Sequence, residues 1–333
     1  MAIVHDVMPA YELFQPTDVE SAITLLREHG DGARILGGGM DTWDWLKDRN
    51  KRITALVDLG GIPGLQDIKV TADGIEIGAM VPLSVVARNA DVVNSYTVLA
   101  RAAGRVASPQ IRNQGTIGGN VNQDVRCWYY RSGWPCYRAG GNICYANTPQ
   151  SLNREHAILD ANRCVAVSPS DTAPALVALD AKMIVQTRRG VREINAADYF
   201  LGPATDIRRT TVLKHGEVLT SIRIPKTWSG AQFYFEKVAD RKSWDFPLVN
   251  VASAIRMEGG SIADARIVVG AVAARPMRLR KVEDAIRGKA ADEATAAVAG
   301  ELAVRGAVPL RLNGYKVPLM RNLVKRAIRG QEA

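Results

Sequence analysis

The sequence predicts an α+β protein of three consecutive units, and three observations carry that prediction. The first stretch alternates strand and helix through short links. The next changes to hairpin-forming segments of alternating polarity mixed with helices. The last places hairpin-joined strands ahead of a run of helices. A chain of 333 residues has room for more than one core.

The first unit spans residues 1–59. "YELFQP" reads as a short strand and "TDVESAITLLREHG" as a helix: Thr17 and Glu20 form a capping box, Val19, Ala22, Ile23 and Leu26 make an apolar face, and Gly30 supplies the stop. "ARIL" is a buried strand, "DTWDWLKDR" a second helix and "ITALVDL" a third strand, an order that implies a small parallel sheet. The second unit spans residues 60–226. In it "LQDIKVTADGIEIGAMV" alternates about an Ala-Asp-Gly turn, and "LSVVARNADVVNSYTVLARAAGRVA" is helical with Ser84 as its cap. "SPSDTAPALVALDAKMIVQTRRGVREI" gives turn, helix and hairpin, and "EVLTSIRIPK" is a strand ending at Pro225. In residues 227–333, "AQFYFEKVA", "PLVNVASAIRM" and "SIADARIVVGAVA" predict a three-stranded antiparallel sheet. "RKVEDAIRG", "ADEATAAVAGELAV" and "YKVPLMRNLVKRAIRG" predict the helices that back it.

Composition narrows the function. Hydrophobic residues make up 47% and charged residues 23%, and no apolar run reaches the length of a membrane span. The net charge of +9 comes from dispersed basic residues rather than an aromatic-interleaved stripe, which argues against nucleic acid as a partner. His5, His29, His156 and His215 form no H-E-x-x-H, no G-x-S-x-G is present, and the histidines are read as surface or packing residues.

All four cysteines, Cys127, Cys136, Cys144 and Cys164, fall within "RCWYYRSGWPCYRAGGNICYANTPQSLNREHAILDANRC". Such clustering asks for a joint role. The N-terminal "MAIVHDVMPAYELF" lacks the pattern of a secretory signal, so a metal site is favoured over disulfides. Structural zinc usually grips through close Cys pairs, and there are none here; iron–sulfur clusters accept wider spacings. Spacing alone leaves iron–sulfur, zinc and unmetallated thiols open. Trp128, Tyr129, Tyr130 and Trp134 stand beside the first cysteines, as a shield or as ordinary loop packing.

Two glycine turns are the other candidates. "ILGGGMDT" lies between a strand and a helix, where bare backbone N–H groups can cradle a phosphate, and "QGTIGGNVNQ" is a second such turn with Thr116 and Asn120 as side-chain partners. Neither is a G-x-G-x-x-G fingerprint or a Walker A loop. Each alone fits a tight turn needing positive φ; together they suit a dinucleotide held between two lobes.

The ordered set "ILGGGMDT", "TIGGN", "PSDTAPALVAL", "GEVLTSIRIP" and "FEKVADRKSWDFPLVNVA" resembles the FAD-binding medium subunit of the molybdenum hydroxylases, the xanthine dehydrogenase and carbon monoxide dehydrogenase family. The resemblance covers essentially the whole chain. It implies a two-lobed FAD-binding domain of the vanillyl-alcohol-oxidase/PCMH type ahead of the C-terminal sheet. The stretch between Asn120 and Ser170 is longer than in most of that family. It resembles the insertion, here about residues 121–167, of the flavin subunits of 4-hydroxybenzoyl-CoA reductase and periplasmic aldehyde oxidoreductase. That likeness implies a [4Fe-4S] cluster on Cys127, Cys136, Cys144 and Cys164. For FAD it implies Leu36, Gly37, Gly38, Gly39, Met40, Asp41 and Thr42 on one turn, and Thr116, Gly118, Gly119 and Asn120, with Ala107, on the other. Ser170, Asp171, Leu219 and Lys237 complete the set. Gly37 and Met40 depart from the family's Ala-Gly-Gly-Thr-Asp turn, which removes one side-chain hydrogen bond to phosphate.

The resemblance also implies partners: a large subunit holding the molybdenum cofactor, where the substrate chemistry occurs, and a small subunit with [2Fe-2S] clusters, in a heterotrimer that could pair as a dimer of heterotrimers. This chain would be an oxidoreductase subunit passing electrons between those clusters and an external acceptor or donor, with no catalytic residue of its own. The expected compartment is the cytoplasm, or the periplasm by co-export with a partner. The competing readings are a self-sufficient flavin oxidoreductase with a structural zinc loop and a metal-stabilised interaction module without flavin.

Overall fold

The computed structural model describes residues 7–330, so His5 lies outside the described residues. Among the described residues, three sheets carry the architecture. In the first, β1 (Glu12–Phe14), β2 (Ala33–Leu36) and β3 (Ala55–Asp58) run parallel in the order β1-β3-β2. The helix Val19–Glu28 covers it with Ala22, Ile23 and Leu26, as the periodicity predicts. Its cap differs: Asp18, not Thr17, is the N-cap, in extended conformation, accepting from the Ser21 backbone N–H at 2.7 Å and the Ser21 hydroxyl at 2.9 Å. A carboxylate at the positive end of the helix is the stronger acceptor.

The second sheet is antiparallel. β4 (Ile68–Thr71), β5 (Gly74–Gly78), β6 (Lys182–Thr187), β7 (Gly190–Asn195) and β8 (Val218–Pro225) lie in the order β4-β5-β8-β6-β7. The strand latest in sequence is central, so everything between β5 and β6 packs outside the sheet. The segment predicted as one helix capped by Ser84 is three: Leu83–Arg88, Ala90–Ser95 and Thr97–Gly104. Asn89 breaks it by turning extended, its side chain accepting from Val92 N at 3.1 Å, and Tyr96 breaks it again. Ser84 lies inside the first piece, whose N-cap is Pro82.

The third sheet has four strands rather than three. β9 (Gln232–Val238), β10 (Val249–Glu258) and β11 (Ser261–Gly270) are joined by β12 (Met277–Arg278), whose two residues pair with Val269 and Val268. A two-residue strand has no periodicity to read. The helices Arg280–Ile286, Glu293–Ala303 and Lys316–Arg329 cover one face. Against the other lies the helix Thr172–Ala178, buried at every position because it is sandwiched between the second and third sheets. Among the described residues, no helix is long and apolar enough to cross a membrane.

The insertion closes at its base through backbone pairing of Arg126 with Val167 and docks on the C-terminal unit. Ile158 and Leu159 both donate to the Val272 carbonyl, and Lys316 Nζ donates to the carbonyls of Glu155 and Ala271 at 2.8 Å each. Burial pushes the Lys316 ammonium down to about 7. His156 is fully enclosed beside it, both ring nitrogens lacking a partner, and burial together with Lys316 pushes its pKa down to about 4. Between pH 6.5 and 4 the unfolded chain therefore binds a proton that the folded chain refuses, and stability falls as pH falls through that window. His156→Leu is expected to remove up to about 3 kcal/mol of that loss. Urea unfolding of both proteins at pH 7 and pH 4.5 measures it, and parallel losses would show that His156 is not responsible.

Candidate functional site

At the end of β2 the chain turns through Gly37–Met40 into the helix Thr42–Asp48, and a second turn at Gln114–Thr116 opens the helix Ile117–Asn122. The two turns meet. Thr116 Oγ1 donates to the Gly37 carbonyl at 2.9 Å and accepts from Gly119 N at 3.0 Å. Gly38 and Gly39 have φ of +89° and +79°, and a Cβ on Gly38 would collide with the Gln114 carbonyl. A Cβ on Gly119 would stand 2.6 Å from the Gly37 carbonyl oxygen, and one on Gly118 2.6 Å from that of Ala79. Glycine is required because backbone lies directly on backbone.

The turns form one wall of a cleft of about 940 Å³. Gly37, Gly39, Met40, Asp41 and Thr42 line it from the first turn, and Thr116, Gly118, Gly119 and Asn120 from the second. Ala107, Asp171 and Leu219 also line it, whereas Leu36, Gly38, Ser170 and Lys237 stand outside its lining. Ala107 holds φ +40°, and its carbonyl accepts from the backbone N–H of Trp244 at 2.8 Å. A dinucleotide such as FAD fits this cleft in kind: bare backbone at two turns and apolar walls.

Behind the lining, Lys237 Nζ sits 2.6 Å from the Asp171 carboxylate and also donates to the carbonyls of Arg105 at 3.0 Å and Asp245 at 2.8 Å. Asn250 Nδ2 donates to the other Asp171 oxygen at 2.9 Å. Burial pushes the Asp171 carboxyl upward against the pull of Lys237 and Asn250. The Ser170 hydroxyl is engaged internally, donating to Asn120 Oδ1 at 2.6 Å, which Thr172 Oγ1 reaches at the same distance.

The cysteines share one neighbourhood. Cys136 and Cys164 are buried and Cys127 and Cys144 half-buried, all as free thiols. Cys127, Cys136 and Cys164 belong to one apolar cluster with Trp45, Tyr130 and Tyr145. Burial pushes the Cys127 thiol up to about 12, with Cys164 and Cys144 adding to the rise, and burial pushes Cys164 upward as well, with Cys144 and Cys136 adding there. Among the described residues, no group of three or more His, Cys, Asp or Glu is arranged to hold a metal ion. The exposed indoles of Trp128 and Trp134 lie outside the cluster, Trp134 edge-on to Tyr129 and Tyr145.

Between cysteines and cleft lies a network that no local sequence signal announced. The Asp41 carboxylate points to the insertion, receiving Arg131 at 2.7 Å, Arg126 at 3.0 Å and the Asp124 backbone N–H at 3.0 Å. Asp124 in turn receives Lys51, Tyr130 Oη at 2.9 Å and Arg138 at 3.0 Å. Burial alone would raise the Asp124 carboxyl, but Arg138 and Lys51 outweigh it and hold it well below the usual carboxylate range. Burial pushes the Arg126 guanidinium down to about 10, and it lies 4.2 Å over the Phe246 ring at the cleft.

Comparison with known proteins gives this arrangement relatives. Residues 9–227 match the FAD binding domain in molybdopterin dehydrogenase, and residues 234–330 the CO dehydrogenase flavoprotein C-terminal domain. The chain is 35% identical over 272 residues to the aldehyde oxidoreductase FAD-binding subunit PaoB of Escherichia coli, spanning 80% of this chain and 82% of that one. It is 27% identical over 327 residues to the carbon monoxide dehydrogenase medium chain of Hydrogenophaga pseudoflava, spanning 97% of each. Among solved structures it superposes on carbon monoxide dehydrogenase from Hydrogenophaga pseudoflava with a TM-score of 0.77 at 25% identity, over 97% of this chain and 98% of that one. On quinoline 2-oxidoreductase from Pseudomonas putida the TM-score is 0.74 at 27% identity, over 97% and 96%.

Gly38→Val is expected to destabilise the protein by about 3 kcal/mol, adding overpacking to left-handed backbone strain. Gly230→Val, at φ +79° with nothing within 4 Å of a new Cβ, carries strain alone and is expected to cost about half as much. Urea unfolding separates the two, and equal losses would show that contact between the turns adds nothing.

Proposed function

The chain belongs to the FAD-binding subunits of the molybdenum hydroxylases, and from that membership we propose that it is the electron-transfer subunit of a heterotrimer, carrying FAD in the cleft and a [4Fe-4S] cluster on its insertion. The observation that carries the reading is the meeting of two glycine-rich turns on a cleft with a four-cysteine loop joined to its rim. FAD, when bound, supplies the exchange between one-electron and two-electron carriers. The chain's own residues bind and orient it. Backbone N–H groups of Gly37–Thr42 would face its phosphates, Gly118 and Gly119 of the second turn, whose N–H groups are engaged within the chain, would let it lie close, Ala107 and Leu219 would give apolar contact, and Lys237 would hold Asp171 in the wall.

Cys127, Cys136, Cys144 and Cys164 are the proposed cluster ligands. Zinc draws its sulfurs to about 2.3 Å from one point, whereas the thiolates of a cluster each end on a different iron and stand further apart. Four thiols on one loop with no close Cys pair, three of them in one apolar cluster, suit the second arrangement better. Substrate chemistry then belongs to a large molybdenum subunit, and electrons reach this chain through a small [2Fe-2S] subunit. The 35% identity to a subunit of an aldehyde oxidoreductase supports an aldehyde as the substrate of that partner.

The test uses the assembled complex. One FAD per chain is expected, with about four irons beyond those of the small subunit and no stoichiometric zinc. Cys136→Ser is expected to lose those irons and keep FAD. Zinc in place of iron, or full iron in the variant, would overturn the cluster assignment; absence of flavin from the native complex would overturn the cleft assignment.

A further inference from the structure

Where the insertion joins the first unit, four cations meet three carboxylates. Lys51, Arg126, Arg131 and Arg138 all converge on Asp41 and Asp124, with only the exposed Asp44 adding a third carboxylate 3.8 Å from Arg126. Arg138 is the most enclosed of these cations, its side chain 2% exposed. One of its amino groups donates to Asp124 Oδ1 at 3.0 Å and the other to the Ile207 carbonyl at 2.8 Å. Its Nε–H has no partner. A buried donor left empty in a folded protein points to an acceptor that is missing.

The surroundings say what the acceptor is. Arg138 comes two residues after Cys136, in the turn Tyr137–Ala139 that Cys136 opens. Its guanidinium lies 5.4 Å from the centre of the Tyr130 ring, and Tyr130 packs in one cluster with Cys136 and Cys164. Nothing can swing the side chain away, because two hydrogen bonds fix the guanidinium plane and leave Nε aimed from a set position.

We propose that Arg138 is the counter-charge of the cysteine site: its free Nε–H donates to a thiolate sulfur of Cys136 or Cys164, and its charge offsets the negative charge that four buried thiolates and their cluster bring into the insertion. The proposal rests on the assignment of the four cysteines as cluster ligands. It makes Arg138 a positioning residue whose removal changes the site's electrostatics. Net charge and hydrogen bonds to sulfur set the reduction potential of such a cluster, so loss of the cation makes acceptance of an electron harder and lowers the midpoint.

The experiment is an EPR redox titration of the assembled complex, with the cluster signal identified by its loss in Cys136→Ser. Arg138→Gln is expected to keep FAD and iron and to shift the reduced-to-oxidised equilibrium of that cluster about tenfold toward the oxidised form, which for a one-electron couple is a fall of about 59 mV. Arg138→Lys, which keeps the charge, is expected to recover most of the shift. Because Arg138→Gln leaves Asp124 short of a partner, the double variant Arg138→Gln with Asp124→Asn restores the local balance; it is expected to assemble with a midpoint lowered by less than in Arg138→Gln alone, through the lost hydrogen bond to sulfur. An unchanged midpoint in both glutamine variants, or equal shifts in Arg138→Lys and Arg138→Gln, overturns the proposal while the cluster assignment stands. A native complex without iron on this chain overturns both.

Discussion

The cleft depends on one seam, where the Thr116 hydroxyl reaches the Gly37 carbonyl and Gly119 closes on the same atom's far side. A single hydrogen bond of that kind contributes only about 1 kcal/mol. What fixes the seam is steric: Gly38 and Gly119 let two backbones approach as side chains would forbid, and the positive φ of Gly38 and Gly39 turns the chain without filling the space. The core under the first sheet takes in Val218 of β8 and Met80 just after β5, and Met80 lines the cleft, so the seam lies where the two sheets meet. The same absence of side chains leaves the backbone of Gly37, Gly39, Gly118 and Gly119 in the lining of the cleft.

Charge holds what sterics leave loose. Lys237 spends its three protons on Asp171 and on the carbonyls of Arg105 and Asp245, so one ammonium ties the helix Thr172–Ala178, the end of the helix Thr97–Gly104 and the β9–β10 loop. Desolvating both ions is costly, and a hydrophobic pair could be as stable; but removal of one partner from such a pair costs about 3–5 kcal/mol, and no apolar residue could reach three segments in a fixed geometry. Asn250 completes the set on the Asp171 side. The interaction therefore contributes position more than stability.

How far the sequence reveals this depends on range. Strands with strong alternation were legible, β8 down to its end at Pro225, and so were the glycine turns and the clustered cysteines. The family resemblance extended the reading to the whole chain. Local competition hid the rest: Asp18 outbids Thr17 as a cap, Asn89 and Tyr96 divide what reads as one helix, and β12 is too short to carry a period. The network around Asp41 and Asp124 was illegible for a different reason. Lys51 meets Asp124 across 73 positions, and Arg126 meets Asp41 across 85, and a charge in a polar-looking loop gives no hint of the partner that buries it.

That network joins the two candidate sites physically. Arg126 pairs in its backbone with Val167 to close the base of the insertion, precedes Cys127 directly, binds Asp41 with its guanidinium and lies over Phe246 at the cleft. Asp41 belongs to the first glycine turn, and Asp124, one link away through its backbone N–H, reaches Tyr130 and Arg138 among the cysteines. A displacement of Cys127 thus moves a residue bonded to the turn that lines the cleft. In a packed, hydrogen-bonded interior such contacts do not deform continuously. The carboxylate of Asp41, a residue that lines the cleft, also anchors the cysteine loop to the cleft's first turn. The insertion is consequently part of the cleft's frame, sharing its charges and its backbone.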